Sequence, residues 1–182
     1  DDSGVEPDGL VLGGTGAMVL DHIDRVSYAV RSNRTDPVAL ERFCTHFNYE
    51  PMVFDAFDDS GTPIYHTNVL MCIATDFVMI GLDMISGDER RNEIVERFES
   101  SGRSVINLSR DQIARFAGNA LELQGNNGRI LALSSVALDA LTQDQLSIIK
   151  QSTTPLPLDI PTIELAGGSV RCMLAGIHLL PR

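Results

Sequence analysis

The sequence predicts an α/β fold. One order of elements, strand–strand–helix–strand, recurs three times in units of about fifty residues. The 182 residues are 43% hydrophobic and 21% charged, which suits one domain with a real core. Turn and helix-end residues also punctuate the apolar runs at the places this order requires.

The first unit opens with a strand over 17–20, a turn at Asp21-His22-Ile23-Asp24 and a second strand over 25–30. Thr35-Asp36-Pro37 then starts an amphipathic helix, with a capping residue ahead of a proline in the first turn. Its apolar face is read as Val38, Leu40, Phe43 and Phe47, and a strand over 51–57 closes the unit. The second unit has a hairpin, 69–74 and 77–82, around Thr75-Asp76. A charged helix follows over 88–100, burying Ile94, Val95 and Phe98 and stopping at Gly102. A strand over 104–108 ends this unit. The third unit pairs 120–124 with 129–133 through a Gly125-Asn126-Asn127-Gly128 turn. One or two helices are expected between 135 and 151, then a strand near 154–157. Extended segments around Ile163 and over 173–179 are expected to finish the chain.

A net charge of −11 excludes the phosphate backbone of nucleic acids and anionic membrane surfaces as natural partners. No apolar run approaches the length of a membrane span, and there is no basic-then-apolar leader. Cys44, Cys72 and Cys172 are odd in number and widely spaced, without a metal-ligand pattern, so free thiols in a reducing, cytoplasmic setting are expected. The polar opening Asp1-Asp2-Ser3-Gly4, without a starting Met, suggests a processed or truncated chain.

Four segments offer chemistry. Cys172 lies in Gly167-Gly168-Ser169-Val170-Arg171-Cys172-Met173-Leu174, where the glycines permit a close turn beside a thiol. By itself it reads either as a nucleophile or as a small buried residue at the start of a strand. Arg171 adjoins the thiol and can lower its pKa, but successive strand residues face opposite ways, so a structural role is equally open. His66 sits in a loop over 63–68 just ahead of an apolar strand. There it is either a general acid/base or, more commonly, a histidine bonded to backbone. Asn119, in Ala117-Gly118-Asn119-Ala120-Leu121, suggests a turn entering a strand. Gly13-Gly14-Thr15-Gly16 lacks the spacing that cradles phosphate, and no Ser-His-Asp element is present. Cys44 and Cys72 read as core, and His22, His46 and His178 show no partner spacing.

Taken together, Gly14-Thr15-Gly16, Ile64-Tyr65-His66-Thr67-Asn68 and the Cys172 segment resemble the guanidine-modifying superfamily, the penteins. This superfamily includes arginine deiminases, dimethylargininases and amidinotransferases. The likeness runs from about Leu12 to Leu179 and is strongest to the citrulline-utilisation hydrolase branch, often labelled amidinotransferase. It implies a β/α propeller of five such modules around a central channel. About three are present here, so residues 1–182 are expected to form a single pentein domain, a C-terminal portion lacking the N-terminal modules. The missing part would come from upstream sequence, from another chain or from nowhere, and truncation predicts self-association or a second chain.

The resemblance assigns Cys172 as the nucleophile on a guanidinium or ureido carbon and His66 as the general acid/base. Asn68 stands where deiminases carry an aspartate, and its neutral amide suits a ureido group such as that of citrulline. For Asn119 a structural role in the channel wall is favoured, with substrate contact as the minor reading. The family's Leu-Glu-Gly-Thr-Gly motif appears as Leu12-Gly13-Gly14-Thr15-Gly16, so Gly13 replaces a substrate-holding glutamate through natural loss, an engineered change or a sequence error. The expected function is C–N bond cleavage in ureido or guanidino substrates, citrulline or arginine, as a hydrolase or amidinotransferase-like enzyme without metal or organic cofactor. The alternative is a catalytically degenerate pentein serving as a binding or assembly module.

Overall fold

A computed structural model describes residues 9–176 and resolves each repeat into its own three-stranded sheet. In chain order, helix α1 (Gly14–Ala17) precedes strands β1 (Val19–Asp21) and β2 (Val26–Val30), which pair antiparallel with Val19 opposite Tyr28. Helix α2 (Pro37–Phe47) then carries the chain over to β3 (Glu50–Phe54), parallel to β2. The helix is the crossover that a parallel neighbour requires. Helix α3 (Thr67–Leu70) leads into β4 (Met71–Ile73) and β5 (Phe77–Ile80). Helix α4 (Asp88–Ser100) returns the chain to the parallel strand β6 (Ser104–Asn107). Helix α5 (Arg110–Ala114) connects to β7 (Leu121–Gly125) and β8 (Gly128–Ser134). Helices α6 (Ser135–Ala140) and α7 (Gln143–Ile149) then precede β9 (Thr154–Leu158), parallel to β8. Helix α8 (Pro161–Glu164) and a 3₁₀ turn, Val170–Met173, follow.

Local chemistry explains most boundaries. The Asp36 carboxylate accepts from the Val38 and Ala39 amides at 2.8 and 3.2 Å, and Pro37 occupies the first turn of α2. Asn48 ends the helix in the left-handed region at φ 57°. Reciprocal capping boxes, Ser109 with Gln112 and Thr142 with Gln145, start α5 and α7.

The structure corrects several expectations. The expected strand over 17–20 is the end of α1 followed by β1, and α3 replaces the start of the expected strand over 69–74. The chain around Ile163 is helical rather than extended, because Pro161 sets the first turn of α8. Met173 closes a 3₁₀ turn, and residues 177–179 of the expected extended segment lie outside the described residues. Helix α2 buries Ala39, Leu40 and Cys44, while Val38 and Phe47 are about half exposed at 48% and 50%. The helix is rolled so that the Leu40–Cys44 line, one turn apart, meets the sheet.

The repeats interlock. Phe98 of α4 stacks on Tyr28 of β2 at 4.8 Å, so the helix of the second repeat packs on the sheet of the first. Arg103 reaches back to Asp21 at 2.9 Å and Asp24 at 2.6 Å and donates from Nε to the Ala74 carbonyl. Both Arg103 and Asp21 are almost fully buried. Removing one partner of a buried pair strands the other charge. Arg103→Ala is therefore expected to destabilise the protein by about 3–5 kcal/mol in denaturant unfolding. The strands β1, β4 and β7 neighbour one another in that order. Their side chains, with Arg171 and Leu174, border a cavity of about 680 Å³ that Cys172 and His66 do not line. No described helix is long and apolar enough to cross a membrane.

Candidate active site

The site is assembled where α1, α3 and the Cys172 turn converge, and each segment is anchored by a contact outside its own repeat. Thr67 opens α3 with a buried hydroxyl that donates to the Ala17 carbonyl at 2.6 Å and accepts from the Val30 amide at 2.8 Å. His66, the residue ahead of α3, is extended at φ −130°, ψ 129°. Its imidazole lies against Gly16, where an added Cβ would fall 2.7 Å from Nδ1. The glycine motif thus serves as a floor for the histidine. At Gly13 a Cβ would stand 3.6 Å from His66 Nε2 and 3.3 Å from the Arg34 carbonyl.

Cys172 is exposed and lies in the 3₁₀ turn after Gly167, whose φ of +88° only glycine adopts readily. The expected strand start is corrected accordingly. Asn119, fully buried at the entry to β7, donates from Nδ2 to Cys172 Sγ at 3.2 Å and accepts the Cys172 amide at Oδ1 at 3.4 Å. The same Nδ2 donates to the Asn68 carbonyl at 2.8 Å. Asn68 donates from its own Nδ2 to Sγ at 3.4 Å, while its buried Oδ1 has no partner among the described residues. Gly118 permits this convergence, since a Cβ there would lie 2.6 Å from the Val69 carbonyl. Two side-chain amide N–H groups are thus aimed at one sulfur.

Exposure separates this thiol from the other two, which are buried. Burial pushes Cys72 up to about 12 and also raises Cys44, as suits inert core thiols. Burial, and then the Arg34 guanidinium, hold His66 below the usual histidine range. Burial raises Tyr65, with Cys172 adding to the rise and Arg34 opposing it. Arg34 is an exposed cation beside His66 with no ion pair among the described residues. The sequence reading passed over it, because a loop arginine ahead of a helix cap carries no motif. Arg171 is half-buried and lines the cavity behind the turn, and its Nε lacks a hydrogen-bond partner among the described residues. No described cluster of His, Cys, Asp and Glu has the makings of a metal site. Asp8 and Glu6, nearest in sequence to Gly13, and His178 lie outside the described residues.

Over residues 1–179 the chain matches the family described as N,N dimethylarginine dimethylhydrolase, eukaryotic. No curated protein matches it significantly. Among solved structures, it superposes on unliganded ArgZ, an arginine dihydrolase from the ornithine–ammonia cycle in cyanobacteria. The TM-score is 0.72 at 15% identity, over 92% of this chain and 25% of that one. Unliganded AgrE gives 0.72 at 17% identity, over 92% and 23%. SxtG, an amidinotransferase from Microseira wollei in the saxitoxin biosynthetic pathway, gives 0.59 at 11% identity, over 86% and 42%. At these identities the likeness concerns the fold, and the three sheets correspond to part of each propeller. The chain spans about a quarter of ArgZ and AgrE and under half of SxtG.

Proposed function

The chain belongs to the N,N dimethylarginine dimethylhydrolase family of the pentein superfamily, and from that premise we propose that it carries the nucleophile and acid/base of a guanidino-modifying enzyme. The substrate has a planar C–N centre, ureido or guanidino, as in citrulline or arginine. The observation that carries this reading is the convergence of the Asn68 and Asn119 amides on Cys172 Sγ beside Asn68 Oδ1, which has no partner among the described residues.

In the proposed mechanism the Cys172 sulfur attacks the planar carbon and forms a C–S bond. His66, neutral at the outset, takes the Cys172 S–H proton as the sulfur attacks, and the imidazolium so formed protonates the departing nitrogen as the C–N bond breaks. The neutral imidazole left behind takes a proton from water, the resulting hydroxide attacks the covalent intermediate, and the thiolate is expelled. Asn119 positions Cys172, and Asn68 Oδ1 accepts an N–H of the substrate. Because that acceptor is a neutral amide, it suits an uncharged ureido group better than a guanidinium cation, which favours citrulline. Arg34, an exposed cation without an ion pair among the described residues, would receive a substrate carboxylate.

A binding or assembly role is favoured by one observation. The charge acting on His66 is that of Arg34, with no carboxylate opposing it among the described residues. As a single partial pentein domain, the chain would meet its remaining modules from further sequence or a second chain.

The test is labelling with a haloacetamidine, a guanidinium-shaped electrophile, followed by intact mass and peptide mapping. Rapid single labelling at Cys172, lost in His66→Ala, is expected. Slow or indiscriminate labelling of Cys44, Cys72 and Cys172 would overturn the catalytic reading.

A further inference from the structure

Tyr65 contacts three of the segments around the site. Its hydroxyl donates to the Gly167 carbonyl at 2.8 Å, tying the His66 loop to the glycine turn that presents Cys172, 102 residues away. Its ring lies 4.6 Å from the His66 ring at a 44° tilt. Its backbone carbonyl accepts the Ser32 hydroxyl at 2.8 Å, and the same Ser32 oxygen accepts the Arg34 amide at 3.1 Å. One residue thus joins the loop of the cation, the loop of the base and the turn of the nucleophile. Tyr65 is 44% exposed, so its burial contributes little to the core and the tie rests on directed contacts.

The geometry points to Tyr65 as a positioning residue that holds the Gly167–Cys172 turn at a set distance from His66 and Arg34, an inference that rests on the proposed function. Nothing else described bonds the Gly167 carbonyl. The φ of +88° at Gly167 makes this turn a pivot at which small backbone rotations swing the thiol. A displacement of about 1 Å at a reacting atom costs on the order of a hundredfold in rate. Losing one hydrogen bond loosens the turn rather than releasing it, so a smaller effect is expected here.

Tyr65→Phe removes the hydroxyl and keeps the ring on His66. Hydrogen exchange by mass spectrometry is read on peptides spanning 165–174, and Cys172 labelling is read with a haloacetamidine and with neutral iodoacetamide. In Tyr65→Phe the peptide is expected to exchange about fivefold faster, the worth of one hydrogen bond. Amidine labelling is expected to slow about five- to tenfold while iodoacetamide labelling does not slow, because only the shaped electrophile needs His66 and Cys172 in register. Ser32→Ala, which frees the Tyr65 carbonyl without touching the phenol, should show the same loss of selectivity in smaller measure. If both variants keep the wild-type ratio of amidine to iodoacetamide rates, Tyr65 does not position the site, whether or not exchange changes. If the wild-type chain itself shows no amidine preference, the functional reading fails first and the positioning role falls with it.

Discussion

Replacing Gly13 by glutamate is expected to raise turnover of a guanidino or ureido substrate by about 10²- to 10⁴-fold, the worth of a carboxylate that orients a planar reacting group. The backbone permits it. Gly13 has φ −77° and ψ 54°, so no left-handed strain opposes a side chain. Its Cβ would lie 3.3 and 3.4 Å from the carbonyl and Cβ of Arg34, a tight fit that a shift of a few tenths of an ångström relieves. The new side chain would start 3.6 Å from His66 Nε2 and bring a negative charge toward both His66 and Arg34.

The substitution also has a pH signature. Burial and Arg34 now disfavour the imidazolium and hold the His66 pKa low. An added carboxylate favours the imidazolium, so the His66 pKa rises. The limb of the rate profile that depends on His66 should therefore move to higher pH in Gly13→Glu and stay put in Gly13→Gln. Steady-state rates across pH for the three proteins measure both effects. No gain in turnover, in a chain with the upstream part supplied and Cys172 still labelling, would favour the binding-module reading.

The second large effect is expected at Asn119. Asn119→Ala removes a donor to Cys172 Sγ and the acceptor of the Cys172 amide, and it empties a fully buried position. Amidine labelling of Cys172 should fall by about 10²- to 10³-fold, the range for losing one preorganised donor at a reacting centre. Asn119→Asp separates holding from charge. It retains an acceptor for the Cys172 amide but loses the donor to Sγ and sets a negative charge beside the attacking sulfur. Its labelling should therefore be slow as well, whereas a loss of packing alone would slow only the alanine variant. Stopped-flow labelling of the two variants distinguishes these.

The α/β order and most element ends were legible in sequence, because they depend on neighbours in the chain. Helix α4 begins and ends where its charged pattern and Gly102 place it, and α2 starts at its Asp36–Pro37 cap. Two kinds of feature were not. Short helices such as α1, α3 and α5 span too few residues to show a period. The roll of α2, which exposes Val38 and Phe47, depends on which sheet face it meets.

The candidate site divides the same way. Cys172, His66, Asn68 and Asn119 stood out in sequence as residue types able to do the chemistry, through motifs whose likeness supplied their roles. Only tertiary structure could bring Asn119 to the thiol across 53 residues and Asn68 across 104, lay His66 on Gly16, and set Arg34 beside it. Capping and periodicity are settled within a turn or two of chain. The environment of a catalytic side chain is settled by which repeats pack together, and that information is spread over all of them.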